Sequence, residues 1–243
     1  MVVYVGFDPR EAAEFAVCVH SITRHITQPL PIRGLVLRSL QEEALYVRPH
    51  TMKPAMMEKP IMWDVISDAP MSTEHANARF LIPTIETSGW HLFMDGDMLV
   101  RGNVARVFDK LDNAKAIYCV KHDHQANNSV KMDGQYQTNY ARKNWSSFML
   151  VNCSHKKNRS FANDDLANTL PGRDLHRFCW LEDEDIGELP LTWNWLVGSS
   201  PPLDNPNVVH YTNGTPRMAG YEKTPFADEW REELSSWARL QAL

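Results

Sequence analysis

The stretch "LFMDGDMLV", Leu92 to Val100, decides how this 243-residue chain is read. Leu92 to Met94 have the character of a buried strand that runs into two carboxylates, Asp95 and Asp97, separated by Gly96. Apolar residues resume at Met98. Acids at the open end of a core strand are costly to desolvate unless water, a cation or a donor network satisfies them. At this spacing both carboxylates can face one divalent ion, with Gly96 allowing backbone or ligand to come close. A bare Asp-X-Asp, however, is more often a polar turn with two solvated acids. The neighbouring segments have to shift that balance.

Toward the N-terminus, "VVYVGF" (Val2 to Phe7) is a continuous apolar run, the pattern of a strand covered on both faces. It stops at Asp8-Pro9-Arg10-Glu11, where Asp8 suits a helix cap, Pro9 the first helical position and Glu11 a capping box. The helix that follows carries Ala12, Phe15, Ala16, Val19 and Ile22 on one face. Strand, turn and helix start resemble a nucleotide-binding unit, though without a Rossmann or Walker glycine pattern. Ile32 to Leu37 is expected as a second strand, and residues 38–70, rich in Met, Pro and charge, as a lid or an irregular surface connection. A helix is expected from Ser72 through "ARFLIPTIE", kinked at Pro83. It carries Arg79, which can pair at the surface, orient a carboxylate or contact a phosphate.

Beyond the acidic pair, "AIYCV" (Ala116 to Val120) reads as a strand ending in "KHDH", which contains Asp123. In open α/β sheets ligands collect at the carboxyl ends of strands, so two strands with acidic tips point to one cleft. Ser146 to Cys153 returns to a buried strand, and a helix is expected around Asp164 to Leu170. The acidic run Glu182 to Asp185 precedes "LTWNWLVG", whose tryptophans suit either a sugar platform or a core. "NVVHYTNGTP" is a short strand ending at His210, followed by a turn containing Gly214. The tail, residues 227–243, is an amphipathic helix with Trp230, Leu234, Trp237 and Leu240 in a stripe, packed on the domain or on a second copy in a homo-oligomer.

A net charge of −5 argues against an electrostatic nucleic-acid binder. The four cysteines are scattered without a CxxC pair, which points to a reducing, cytoplasmic setting, and neither a signal peptide nor a membrane span is expected. Two carboxylates plus one imidazole suit Mn²⁺ or Mg²⁺ better than Zn²⁺, because no His/Cys cluster stands at zinc spacing. Such a metal, bridging a diphosphate, stabilises it as a leaving group in sugar transfer.

Five segments in order, "VYVGFDPRE", "ARFLIP", "FMDGDMLV", "FMLVN" and "VVHY", resemble the motifs of a retaining GT-A glycosyltransferase of the family-eight type, the group of glycogenin and the bacterial lipopolysaccharide galactosyltransferases. The resemblance spans roughly residues 1–218. It implies an α/β GT-A fold, with a mixed, mostly parallel sheet flanked by helices, as a single domain over residues 1–243. It implies that Asp95, Asp97 and His210 hold the metal, and that Gly6, Phe7, Asp8, Arg79, Gly96, Gly214 and Arg217 serve a nucleotide-sugar donor, a UDP-sugar. Asp123, Asp183 and Glu184 would approach the reacting sugar, with transfer to a saccharide or other hydroxyl acceptor. Three departures stand out. Trp145-Ser146-Ser147 replaces a sugar-contacting Asn-Ala-Gly, Glu182 to Asp185 only loosely matches an Asp-Gln pair, and Arg217 stands near the place of a phosphate-contacting lysine. A sugar-1-phosphate nucleotidyltransferase would carry a glycine-rich signature where this chain has "GFDPRE". A non-catalytic nucleotide-sugar binder would keep the fold with an altered sugar side.

Overall fold

The structure, a computed structural model, describes residues 1–54, 60–122 and 142–242. It opens with β1 (Val3–Gly6), α1 (Ala12–His25) and β2 (Ile32–Leu35). Next come α2 (Leu37–Glu42), β3 (His50–Lys53), β4 (Ile61–Asp64) and β5 (Ala69–Pro70). The middle of the chain forms α3 (Ile82–Ile85), β6 (Trp90–Met94), β7 (Met98–Val100), β8 (Ile117–Cys119) and β9 (Phe148–Asn152). The remainder forms α4 (Lys156–Asn163), α5 (Leu166–Thr169), α6 (Gly172–His176), β10 (Ile186–Glu188), β11 (Trp195–Leu196), β12 (Val208–His210) and α7 (Ala227–Gln241).

Six strands form the central sheet in the order β10-β8-β9-β6-β1-β2. All neighbours are parallel except β9, which runs antiparallel to both β6 and β8. Both β1 and β9 are buried throughout, as their unbroken apolar runs require. The alternation within β6 sends Phe93 to one core and Leu92 and Met94 to the other, so each face of the sheet has its own apolar layer. The parallel register of β1 with β6 brings Gly6 and Asp95 to the same carboxyl edge. A second sheet, β11-β12-β7, joins this edge through antiparallel pairing of His210 with Met98.

Several sequence expectations change. Residues 38–70 are not an irregular connection: they hold α2 and an antiparallel sheet, β3-β4-β5. A buried ion pair, Arg48 Nη2 to Asp64 Oδ2 at 2.7 Å, ties that sheet together, and Arg48 Nη1 also donates to the carbonyls of Ala167 and Leu170. No helix begins at Ser72. The Asp8 carboxylate accepts the backbone N–H of Glu74 (3.0 Å) and Arg10 Nη2 donates to the Ser72 carbonyl (2.7 Å), which holds this segment against the end of β1. A 3₁₀ turn at Ala78–Leu81 then enters α3, and Pro83 sits in the first turn of α3, where its missing N–H breaks no bond and causes no kink. The helix expected at 164–170 is present as the short α5, Leu166–Thr169, flanked by α4 and α6.

Asp8 caps a 3₁₀ turn, Pro9–Glu11, that precedes α1, and Glu11 closes no capping box. Only part of the face expected on α1 is inside: Ala16 and Ile22 are buried, Phe15 and Val19 half-buried, and Ala12 exposed. The helix packs on both β7 and α7, so Glu14, Val17 and His20 are buried as well. α7 lies on its own domain through Trp230 and through Glu233, whose carboxylate meets His20 Nδ1 at 2.5 Å and Arg24 Nη1 at 2.9 Å. Among the described residues no helix is long and apolar enough to cross a membrane.

Candidate metal centre

Asp95 leaves β6 at its carboxyl end, where its backbone N–H donates to the Ser147 carbonyl at 2.9 Å and extends the ladder to β9. Asp97 lies just before β7, and its carbonyl accepts the N–H of Tyr211 at 3.2 Å. That bond continues the β7–β12 register and sets His210 across from the acids. His210 Nε2 is 3.2 Å from Asp97 Oδ1 and 3.9 Å from Asp95 Oδ2. One ligand atom from each of Asp95, Asp97 and His210 falls within 4.8 Å of the others.

Two glycines make this convergence fit. A β-carbon at Gly96 would lie 2.5 Å from the Gly6 carbonyl oxygen, so the turn between the acids packs directly on the end of β1. A β-carbon at Gly6 would lie 2.4 Å from the His75 ring. Both glycines thus serve backbone and side-chain packing behind the acids.

The two oxygens of Asp95 have different surroundings. Oδ1 receives Arg79 Nη2 at 2.9 Å and lies 3.2 Å from His75 Nε2, whereas Oδ2 faces His210. Arg79 is itself buried and held by the carbonyls of Ala76 and Ser146, both at 3.0 Å, with its guanidinium over the Phe93 ring. Burial alone would raise the pKa of Asp95, but Arg79, His75 and His210 outweigh it and hold the carboxyl well below the usual range. His75 escaped the sequence reading; its spacing of four from Arg79 was the available signal.

Trp193-Asn194-Trp195 supplies a second unforeseen residue. Neither tryptophan lines the cavity beside the acids: Trp195 is buried in a core with Trp230, and the Trp193 ring stacks on Phe148 at 6.4 Å. Asn194 is fully buried and its Oδ1 lies 2.9 Å from His210 Nδ1. Its Nδ2 donates to Ser147 Oγ at 2.9 Å. The Trp145-Ser146-Ser147 departure therefore has structural work: Ser146 supports Arg79, and Ser147 supports both Asp95 and Asn194.

The three ligand residues open into a cavity of about 450 Å³, within the size of small-molecule sites. Glu11, Thr73, Asn144 and Gly214 line other parts of its wall. At Gly214 a β-carbon would meet the Tyr221 ring at 2.8 Å. The Glu11 carboxyl is pushed up to about 8, first by burial and then by the charges of Asp97 and Asp8.

The remaining sequence candidates are placed elsewhere. Phe7 does not line the cavity and meets Phe15 edge-on at 5.1 Å. Asp8 is buried, and its carboxylate takes donors from Arg10 and Glu74, which together outweigh burial and lower its pKa. Arg217 clasps the fully buried Glu14 carboxylate, Nε donating to Oε1 at 3.1 Å and Nη2 to Oε2 at 3.2 Å. The acidic run lies at the amino end of β10, away from the carboxyl edge: Asp183 pairs with Arg142 at 2.6 Å, and Glu184 accepts Lys115 Nζ through its backbone. The structure therefore does not bring Asp183 or Glu184 to the cavity. Asp123 lies outside the described residues.

The residues present fit a divalent cation. Among the described residues Asp97 Oδ1 is buried with no hydrogen-bond donor, and with the Asp95 carboxylate and His210 Nε2 it completes a two-carboxylate, one-imidazole donor set suited to Mn²⁺ or Mg²⁺.

No family model matches the chain. Protein CDI of Arabidopsis thaliana is 38% identical over 241 residues, covering 97% of this chain and 86% of that protein. The chain belongs to the family of Protein CDI. Among solved structures, this CDI-family chain is similar to the WbbM bifunctional glycosyltransferase, with a TM-score of 0.61 at 15% identity, over 97% of this chain and 49% of that one. It is also similar to the glycosyltransferase GlyE of Streptococcus pneumoniae TIGR4, with a TM-score of 0.59 at 14% identity, over 98% and 62% of the two chains. For the galactosyltransferase LgtC, in complex with donor and acceptor sugar analogs, the TM-score is 0.56 at 14% identity, over 97% and 96%. The CDI-family chain thus spans about half the length of WbbM and less than two thirds of GlyE. These likenesses establish the expected GT-A type of fold.

Proposed function

We propose that this protein is a metal-dependent glycosyltransferase that moves a sugar from a UDP-sugar to a saccharide or other hydroxyl acceptor, with retention of configuration. The observation that carries the reading is the Asp95–Asp97–His210 convergence at the carboxyl edge of a GT-A sheet, opening into a ligand-sized cavity. The motif order resembling family-eight enzymes supports donor class and retention, and the sugar-transfer functions named for WbbM, GlyE and LgtC point the same way. We take the chain as one domain and, from its free cysteines, as a cytoplasmic protein.

Asp95, Asp97 and His210 would hold Mn²⁺ or Mg²⁺, which when bound offsets diphosphate charge and makes it a better leaving group. Arg79 and His75 keep Asp95 ionised and aimed, so it needs no reorganisation when charge develops nearby. Thr73, Asn144 and Ser147 offer polar groups from the cavity wall to the hydroxyls of a bound donor. Glu11 adds a half-buried carboxyl that can hold or accept a hydroxyl proton.

One arrangement favours a second reading, a nucleotide-sugar binder without turnover: Asp183 and Glu184 stand away from the cavity. A panel of UDP-sugars, assayed for UDP release with Mn²⁺ and again with chelator, separates the two. Metal-dependent release from at least one donor supports the transferase. Metal-dependent binding without release supports the binder, and absence of binding overturns both.

A further inference from the structure

We propose that Asn194 is the positioning residue that fixes which ring nitrogen of His210 faces the two carboxylates, an inference that rests on the metal-centre reading. The argument follows the protons along a buried chain. Ser147 Oγ lies 2.7 Å from the Asn144 carbonyl oxygen, which can only accept, so the single hydroxyl proton is spent there. Ser147 Oγ must then accept from Asn194, and the amide nitrogen Nδ2 meets it at 2.9 Å. The amide is thereby oriented with Oδ1 toward His210 Nδ1, 2.9 Å away. Because Oδ1 accepts only, Nδ1 carries the ring proton in the neutral imidazole, and Nε2 is left bare.

That bare nitrogen is the one facing Asp97 and Asp95. A reversed amide would set two lone pairs against each other at Ser147 and leave Nε2 protonated, with no lone pair for a cation. Asn194 is fully buried, so water cannot substitute for either partner. The chain also reaches the cavity wall: Asn144 lines it with a positive φ of 65°, and its carbonyl is the acceptor that sets the direction of every bond up to His210. Donation of the second ring nitrogen to an outer partner is the usual means of orienting a ligand histidine.

The test reads the His210 tautomer by ¹⁵N NMR on the neutral ring of metal-free protein, together with Mn²⁺ affinity by electron paramagnetic resonance, in wild type, Asn194→Leu and Asn194→Asp. The wild type should show the Nδ1–H form. N194L should lose that preference and bind Mn²⁺ roughly 10–100-fold more weakly. N194D keeps an acceptor at His210 Nδ1, with the Ser147 hydroxyl turning from the Asn144 carbonyl to donate to the second carboxylate oxygen, and should retain the tautomer and stay within a few-fold of wild type. A wild-type ring protonated on Nε2, an N194L protein that binds as wild type does, or an N194D protein that falls as far as N194L overturns the inference alone. Wild-type protein that binds no Mn²⁺ overturns the metal-centre reading and the inference with it. If N194L does not fold, the wild-type tautomer and N194D still decide.

Discussion

Nη2 of Arg79 lies 2.9 Å from Oδ1 of Asp95, and both side chains are largely withdrawn from water. The sequence left Arg79 three roles; the geometry shows it orienting a carboxylate, from a position that also lines the cavity. Arg79→Ala would leave Asp95 with His75 as its remaining buried partner on that oxygen. Removing one member of such a pair should cost about 3 kcal/mol. Urea unfolding in chelator measures it, and a loss below about 1 kcal/mol would show that the pair does not support the acid.

Gly96→Ala tests the approach of the acidic turn to β1. The added carbon would meet a backbone oxygen, Gly6 O, that no rotamer change can move. A loss of about 1–3 kcal/mol is expected, with weaker Mn²⁺ binding because Asp95 and Asp97 flank the displaced residue. Unchanged stability and affinity would mean that the turn relaxes freely.

Asp97→Asn addresses the cation itself. Metal that binds only the folded state at about 100 times its dissociation constant adds about 2.7 kcal/mol of stability. Mn²⁺ should therefore raise the melting temperature of the wild type, chelator should reverse the rise, and D97N should show little of it. An equal Mn²⁺-induced rise in D97N would remove Asp97 from the ligand set.

Arg217→Ala separates a structural clasp from a phosphate contact. Glu14 is fully buried and, among the described residues, would keep only Thr215 Oγ1, at 2.9 Å, as a side-chain donor. The ligand-free protein should lose about 2 kcal/mol, less than a fully buried pair because Arg217 is partly exposed. If only nucleotide affinity changes and ligand-free stability does not, Arg217 is a phosphate contact after all.

What could be seen in the residues beforehand follows from burial. β1, β6 and β9 are covered on both faces and announce themselves as apolar runs, and the two acids and His210 stand where such runs end. β3 is mostly exposed and has no alternation to detect, so the sheet over residues 50–70 stayed hidden. The segment after Ser72 has local helix signals that contacts to Asp8 and Arg10 override. His75 and Asn194 act on ligand residues through space, and Glu14 lies 203 positions from Arg217; no local pattern carries such pairings.

Glu11 gives the pH dependence its sign. Its carboxyl is held at about 8 in the fold, first by burial and then by Asp97 and Asp8, against about 4.3 in an unfolded chain. The folded state therefore binds this proton more tightly than the unfolded state does. Whatever stability the proton confers is fully present below about pH 4, declines as pH rises, and is gone above about 8. Glu11→Gln keeps the shape without the charge, so metal-free E11Q should be more stable than wild type at pH 8, by at least about 1 kcal/mol. The difference should shrink toward zero near pH 4, where both side chains are neutral. Asp95 and Asp8, whose pKa values are lowered, act in the opposite sense: their contribution is present above about pH 4 and is lost as pH falls through their folded values. Urea midpoints for both proteins between pH 3 and 9, in chelator, contain both effects. A stability gap between E11Q and wild type that is the same at pH 4 and pH 8 would show that charge at Glu11 is not the cause.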